Sequence, residues 1–185
     1  HLWQREFTSK PCVSDYLQGM GSWGGRLQVL SESKLLMTLG DAYLDGMHGK
    51  KNITIGSSDY GKVIEIDVNK RISTIFASGL RNPSGICLSR YGIYTVEHGP
   101  MGGDELNFLV QGKHYGWPTV TYGVDYGTHA WPPNPINGYH EQFEKPIFSW
   151  LPSIAPSDLY CLDSNQGGPW DNDLLISTLK DKSIY

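Results

Sequence analysis

Hydrophobic positions along this chain fall into short runs, several of them alternating with polar residues. The clearest is KVIEIDV (62–68), where Ile64, Ile66 and Val68 face one way and Val63, Glu65 and Asp67 the other. That is the period of a strand. Three longer segments share one plan. Arg26 to Asp41 (RLQVLSESKLLMTLGD), Gly85 to Gly99 (GICLSRYGIYTVEHG) and Asp158 to Leu179 (DLYCLDSNQGGPWDNDLLISTL) each read as apolar strand, polar or Gly-rich turn, apolar strand. Further strands are predicted at 62–68 and Ile72 to Ala77 after the first, and at Leu106 to Val110 and Ile147 to Trp150 after the second.

The repeating unit is thus about four strands, recurring every 60 to 70 residues or so. Four-stranded units in series predict an all-β chain built as a β-propeller. Two units are fairly complete and a third has begun, whereas a ring takes about four to eight. Residues 1–185 are therefore expected to form one partial propeller domain. It would belong to a longer protein or complete its ring by self-association. Long loops are expected at Gly40 to Gly61 and at Thr121 to Lys145, the second rich in aromatics and prolines. Loops of that length are usually functional or disordered, and aromatics favour ordered packing.

Composition sharpens this picture. The 22 glycines and 11 prolines suit many short strands joined by turns, and 12% aromatic residues give material for a core. A net charge of -4 leaves no electrostatic footprint for nucleic acid. No stretch has the length of a membrane-spanning helix, and no leader pattern is visible from His1 onward. Cys12, Cys87 and Cys161 form no C-x-x-C pair, which argues against zinc. Cys87 and Cys161 sit in apolar strand patterns and read as buried free thiols.

The candidate chemistry lies between Gly79 and Pro118. His-Gly-Pro-Met-Gly-Gly-Asp-Glu-Leu-Asn (98–107) brings a histidine, three glycines and two adjacent carboxylates into what reads as one turn after a strand. Glycines allow close backbone approach to a ligand. Carboxylates with carbonyls nearby suit a hard cation such as calcium. Upstream, Arg81-Asn82 suits a planar anionic ligand. Downstream comes Tyr-Gly-Trp-Pro (115–118). The combination reads as a metal-assisted cofactor site.

With these motifs in order, the chain resembles the soluble quinoprotein sugar dehydrogenases, the aldose sugar, glucose and sorbosone dehydrogenase family. The resemblance is most specific at 79–85, 97–107 and 113–118, and extends through Ser153 to Ser157 and Ser177 to Lys180. It implies a six-bladed β-propeller, of which this chain holds about half, using pyrroloquinoline quinone (PQQ) and calcium. The activity implied is oxidation of an aldose at C1 to the lactone, with electrons passed to an external acceptor, in a periplasmic or secreted setting. The resemblance gives Arg81 the catalytic task of stabilising the reduced quinone. Arg81, Asn82, His98, Asp104, Tyr126, Ser153 and Lys180 would contact the cofactor. The carbonyls of Gly99 and Pro100 would hold the calcium that bridges to it, and Glu105 with the carbonyl of Tyr115 a second calcium.

One departure stands out. The family's proton-abstracting histidine lies just before a Gly-x-Arg-Leu strand start, and here Ser22 fills its slot. Serine is a poor general base unless a neighbour activates it. Neither nearby segment supplies an obvious substitute, though His48 and His98 could in principle reach the site. The alternative expectation is therefore a propeller that binds a carbohydrate or protein without oxidising it. A propeller lyase or lactonase using calcium as a Lewis acid is a further reading.

Overall fold

The structure, a computed structural model, describes residues 3–13, 21–44, 54, 56–124, 126, 140–162 and 168–185. Ten strands are present among them: β1 (Gly24–Ser31), β2 (Lys34–Leu39), β3 (Lys62–Asp67), β4 (Ile72–Ser78), β5 (Pro83–Ser89), β6 (Gly92–Glu97), β7 (Asp104–Leu109), β8 (Phe148–Trp150), β9 (Pro156–Cys161) and β10 (Leu174–Thr178). They form two four-stranded sheets, β1-β2-β3-β4 and β5-β6-β7-β8, and a two-stranded sheet, β9-β10. Every pairing is antiparallel and follows chain order. Each sheet is a meander, the arrangement of a propeller blade.

The sheets stack face to face. Leu36, Val63 and Ala77 of the first sheet pack on Ile86, Ile93 and Leu109 of the second. Cys87 and Val96, on the opposite face of the second, pack on Leu159, Cys161 and Ile176 of the third. The alternation in KVIEIDV is present, but both faces of β3 are covered, since Val63, Ile64 and Ile66 are all buried. The first strands β1, β5 and β9 lie side by side. Arg26 ties them together: Nε donates to the Ser84 carbonyl at 2.9 Å, and Nη2 donates to that of Ser157 at 3.1 Å. The same side chain pairs with Asp158. Where β5 meets β9, Gly85 is required by space, because an added Cβ would lie 2.5 Å from the Leu159 nitrogen.

Two expectations need correction. Cys87 and Cys161 are not free thiols; they form a disulfide with Cα atoms 5.7 Å apart. Each strand pattern was apolar for the expected reason, burial between sheets. The stacking of β5 on β9 then brings two residues 74 apart in sequence into bonding range. Cys12, outside this pair, is exposed. Second, Asp104 and Glu105 do not lie in the turn but open β7. A strand sends successive side chains to opposite faces, so the adjacent carboxylates have separate surroundings.

Candidate functional site

The site forms where the turn between β4 and β5 meets the turn between β6 and β7. Arg81 and Asn82 leave the first turn with their backbone groups engaged. The Arg81 N–H donates to Glu97 Oε2 at 2.6 Å. Its carbonyl accepts from the Asp41 N–H at 2.8 Å and from the Ser22 hydroxyl at 3.4 Å. The Asn82 carbonyl accepts from the His98 N–H, and its side-chain oxygen from the Gly24 N–H.

The Arg81 side chain is only 6% exposed. Its guanidinium lies between the rings of Tyr43 and Trp117, 5.6 and 5.3 Å from their centroids. Nη1 donates to the carbonyls of Gly99 at 2.7 Å and His98 at 3.3 Å. The Trp117 indole donates to Asp41 Oδ2 at 2.9 Å. Arg81 Nε has no hydrogen-bond acceptor among the described residues. A buried donor left this way is costly, and an acceptor such as a water or an anionic ligand would satisfy it.

Glu105 points to the face shared with Glu97, its cross-strand partner, and with Asn107 two residues on. All three are buried. The Asn107 amide donates to Glu97 Oε1 at 2.9 Å and to Glu105 Oε2 at 3.4 Å. Burial raises the Glu97 pKa to about 7, opposed by the N–H groups of Arg81 and Asn82. Glu105 is raised well above the ordinary carboxylate value, by burial first and then by Glu97. Two carboxylates forced together in a dry site favour a shared proton or a cation. A cavity of about 10 Å³ lies here, bordered by Arg81, Glu97, Glu105, Gly99, Tyr115 and Thr121. That is room for one water or one ion.

Asp104 faces the other way and is saturated. It accepts from the N–H of Gly99 at 3.0 Å, Ile154 at 2.9 Å and Ala155 at 2.7 Å, and from the Ser153 hydroxyl. It thus fixes the chain entering β9 against the Gly99 turn. His98 stands nearby, its pKa lowered by burial and partly restored by Asp104. At neutral pH its ring is therefore neutral.

The predicted residues divide. Arg81, His98, Gly99, Glu105 and Tyr115 border the small cavity, and Pro100 is buried beside Gly99. Asn82 is held one residue from Arg81. The Tyr115 ring belongs to the first core, with its hydroxyl donating to the Phe108 carbonyl. Ser153 and Lys180 border a separate groove of about 360 Å³ with Phe148, Trp150, Leu151 and Tyr185. Tyr126 is 67% exposed. His48 lies outside the described residues, as do positions 127–139 of the long aromatic loop. Among the described residues no three His, Cys, Asp or Glu side chains gather as a metal site. A cation here would rely on two carboxylates and backbone carbonyls, which suits a hard ion.

Sequence reasoning missed Glu97, Asn107, Asp41 and the aromatic pair around Arg81. Glu97 and Asn107 were reachable, because placing Glu105 in a strand puts the residue two on, and the one opposite, on its face.

Stacked antiparallel meanders enclosing a buried guanidinium and a carboxylate pair define an all-β protein of propeller type. The chain belongs to the glucose/sorbosone dehydrogenase family, whose sequence model matches residues 11–185. It is 31% identical over 175 residues to the aldose sugar dehydrogenase of Escherichia coli (strain K12), covering 88% of this chain and 46% of that protein. It is 30% identical over 147 residues to quinoprotein glucose dehydrogenase B of Acinetobacter calcoaceticus, covering 63% of this chain and 31% of that one. The crystal structure of the soluble E. coli aldose sugar dehydrogenase in its apo-form superposes with a TM-score of 0.74 at 28% identity, covering 87% of this chain and 49% of that chain. A solved glucose dehydrogenase gives 0.79 at 26% identity, covering 97% and 52%. The chain thus spans about half the length of its relatives. Among the described residues no helix is long and apolar enough to cross a membrane.

Proposed function

We propose that this chain forms the Arg81–Glu105 portion of a PQQ- and calcium-dependent aldose dehydrogenase, with residues 1–185 a partial domain of a six-bladed propeller. The observation that carries the reading is the buried Arg81 guanidinium, whose Nε lacks an acceptor among the described residues, beside a cation-sized, carboxylate-lined cavity. The donor set fits both groups. Cationic Arg81, with Lys180 at the separate groove, suits a ligand bearing several carboxylates. Glu105 and the Tyr115 carbonyl suit one calcium, and the carbonyls of Gly99, which also accepts from Arg81 Nη1, and Pro100 would serve the other, beside the cofactor. PQQ, when bound, would supply the acceptor for the two electrons lost from the sugar C1. Arg81 would stabilise charge developing on that acceptor, at little reorganisation cost because its backbone and rings are already fixed. Trp117 and Tyr43 keep water from the guanidinium. Ser153 is oriented by Asp104 toward the rim of the groove.

The substrate would be a small sugar and the partner an external electron acceptor. The setting would be periplasmic or secreted, a reading supported by the Cys87–Cys161 disulfide, since such bonds persist in oxidising compartments. The test is calorimetric titration of PQQ into calcium-loaded protein with an EDTA-treated control. Calcium-dependent binding at micromolar affinity or tighter is expected, together with a cofactor absorbance band that sugar shifts. Folded protein that takes up no PQQ refutes the reading.

A second reading, ligand binding without oxidation, is favoured by Ser22. It is 1% exposed and its hydroxyl is committed to the Arg81 carbonyl, with no activating base in contact among the described residues. A PQQ band that forms but ignores aldoses would decide for that reading.

A further inference from the structure

Glu97 is a buried carboxylate whose hydrogen bonds to the Arg81–Asn82 turn the proposed chemistry does not use. It closes β6 and sits opposite Glu105 in β7. One oxygen receives the N–H of Arg81 at 2.6 Å, and the Asn82 N–H also points to this carboxylate. The other receives the Asn107 amide at 2.9 Å. Only the N–H end of an amide can face two carboxylates, so Asn107 bridges Glu97 to Glu105. On the far side, Asp41 and Ser22 hold the Arg81 carbonyl. The turn presenting Arg81 and Asn82 thus hangs on a side-chain carboxylate between the ends of β4 and β5.

We propose that Glu97 is a positioning residue: it sets the Arg81–Asn82 turn for the quinone and, through Asn107, couples that turn to the Glu105 cation subsite. The inference rests on the quinone reading above. Its consequence is reciprocal: calcium tightens PQQ and PQQ tightens calcium by the same factor. A purely structural Glu97 would change stability and leave both affinities of the folded protein alone.

The experiment compares Glu97→Gln with wild type in two readouts. The first is PQQ affinity by calorimetry with and without calcium. The second is amide hydrogen exchange of the segment holding Arg81 and Asn82, followed by mass spectrometry without any ligand. Glutamine keeps the shape but loses one acceptor oxygen, so it cannot receive the Arg81 and Asn82 N–H groups and the Asn107 amide together. A buried donor left unpaired predicts PQQ binding weaker by about 10-fold or more, and exchange in that segment faster by a similar factor. Affinity within about twofold of wild type, beyond the reach of such a loss, overturns the proposal. If wild type takes up no PQQ, the quinone reading has failed on its own account, and exchange decides the hold on the turn: acceleration confined to the Arg81–Asn82 segment upholds it, whereas unchanged exchange there, or acceleration spread evenly over the chain, overturns it. Should Glu97→Gln not fold, Asn107→Ser serves, because it keeps the Arg81 contact and removes the bridge. Calcium should then cease to affect PQQ affinity; coupling equal to wild type overturns the bridge.

Discussion

Removing the disulfide between β5 and β9 tests the stacking of the blades directly. The perturbation is Cys87→Ala with Cys161→Ala. The bond joins residues 74 apart in sequence, and closing a loop of that length lowers the entropy of the unfolded chain by an amount equivalent to about 4 kcal/mol at 25 °C. Both sulfurs are buried, 5% and 6% exposed, so the space they leave adds a further cost. Against a total stability of about 5–15 kcal/mol for a native domain, the variant stands near the edge of folding. Urea unfolding reads the loss. With a slope of about 2 kcal/mol/M, the midpoint falls by about 2 M at unchanged slope. Thiol counting accompanies it, with one alkylation on the native protein, at exposed Cys12, and three after reduction. A midpoint shift under about 0.3 M, or three alkylations without reduction, would refute the reasoning, because the first falls far below the loop-closure contribution.

Three further outcomes are expected. Glu97 holds its proton up to about pH 7 when folded but only to the ordinary carboxylate value when unfolded. Its contribution is thus complete below about pH 4.5 and lost as pH rises through 7. Melting in EDTA should fall from about pH 5 to about pH 8, and calcium should flatten the fall; a rise in EDTA would contradict the burial argument. Arg81→Lys loses the fork that reaches the Gly99 and His98 carbonyls, so PQQ titration should show affinity reduced roughly 10-fold or more. Gly103→Ala puts a side chain at φ +67° against the Gly123 nitrogen, which should cost about 2 kcal/mol or more in urea unfolding.

Much of the fold was legible because propeller blades are built from local, in-order pairings. KVIEIDV announced β3 by alternation, and the segments around Leu35 and Ile93 announced their hairpins by apolar runs flanking a polar turn. What escaped depends on stacking between sheets. Cys87 and Cys161 each read correctly as buried, but only the approach of β5 to β9 makes them partners. The candidate site was legible in its residues more than in its geometry. Arg81, Glu105 and Gly99 meet as the motifs suggest. Asp104 was read as a companion of Glu105, yet the pleat turns it to the opposite face, where backbone N–H groups claim it. Glu97 and Asn107 went unread because Glu105 was placed in a turn, and only a strand there puts all three on one face.

The saturation of Asp104 has a consequence for how such a protein can diversify. Its carboxylate grips Ile154 and Ala155, some fifty positions downstream, and β7 pairs with β8 beside it. The ends of the intervening stretch are therefore anchored independently of what lies between them. Closing a loop between fixed ends costs little more when the loop grows. Tyr115 and Trp117, early in that stretch, hold the first core and the Arg81 guanidinium, so new lengths and side chains can be tried only beyond Val124, which pairs with Met101, without displacing Arg81 or Glu105. Under the sugar-oxidising reading proposed above, a selection for new substrates would find its variable ground there.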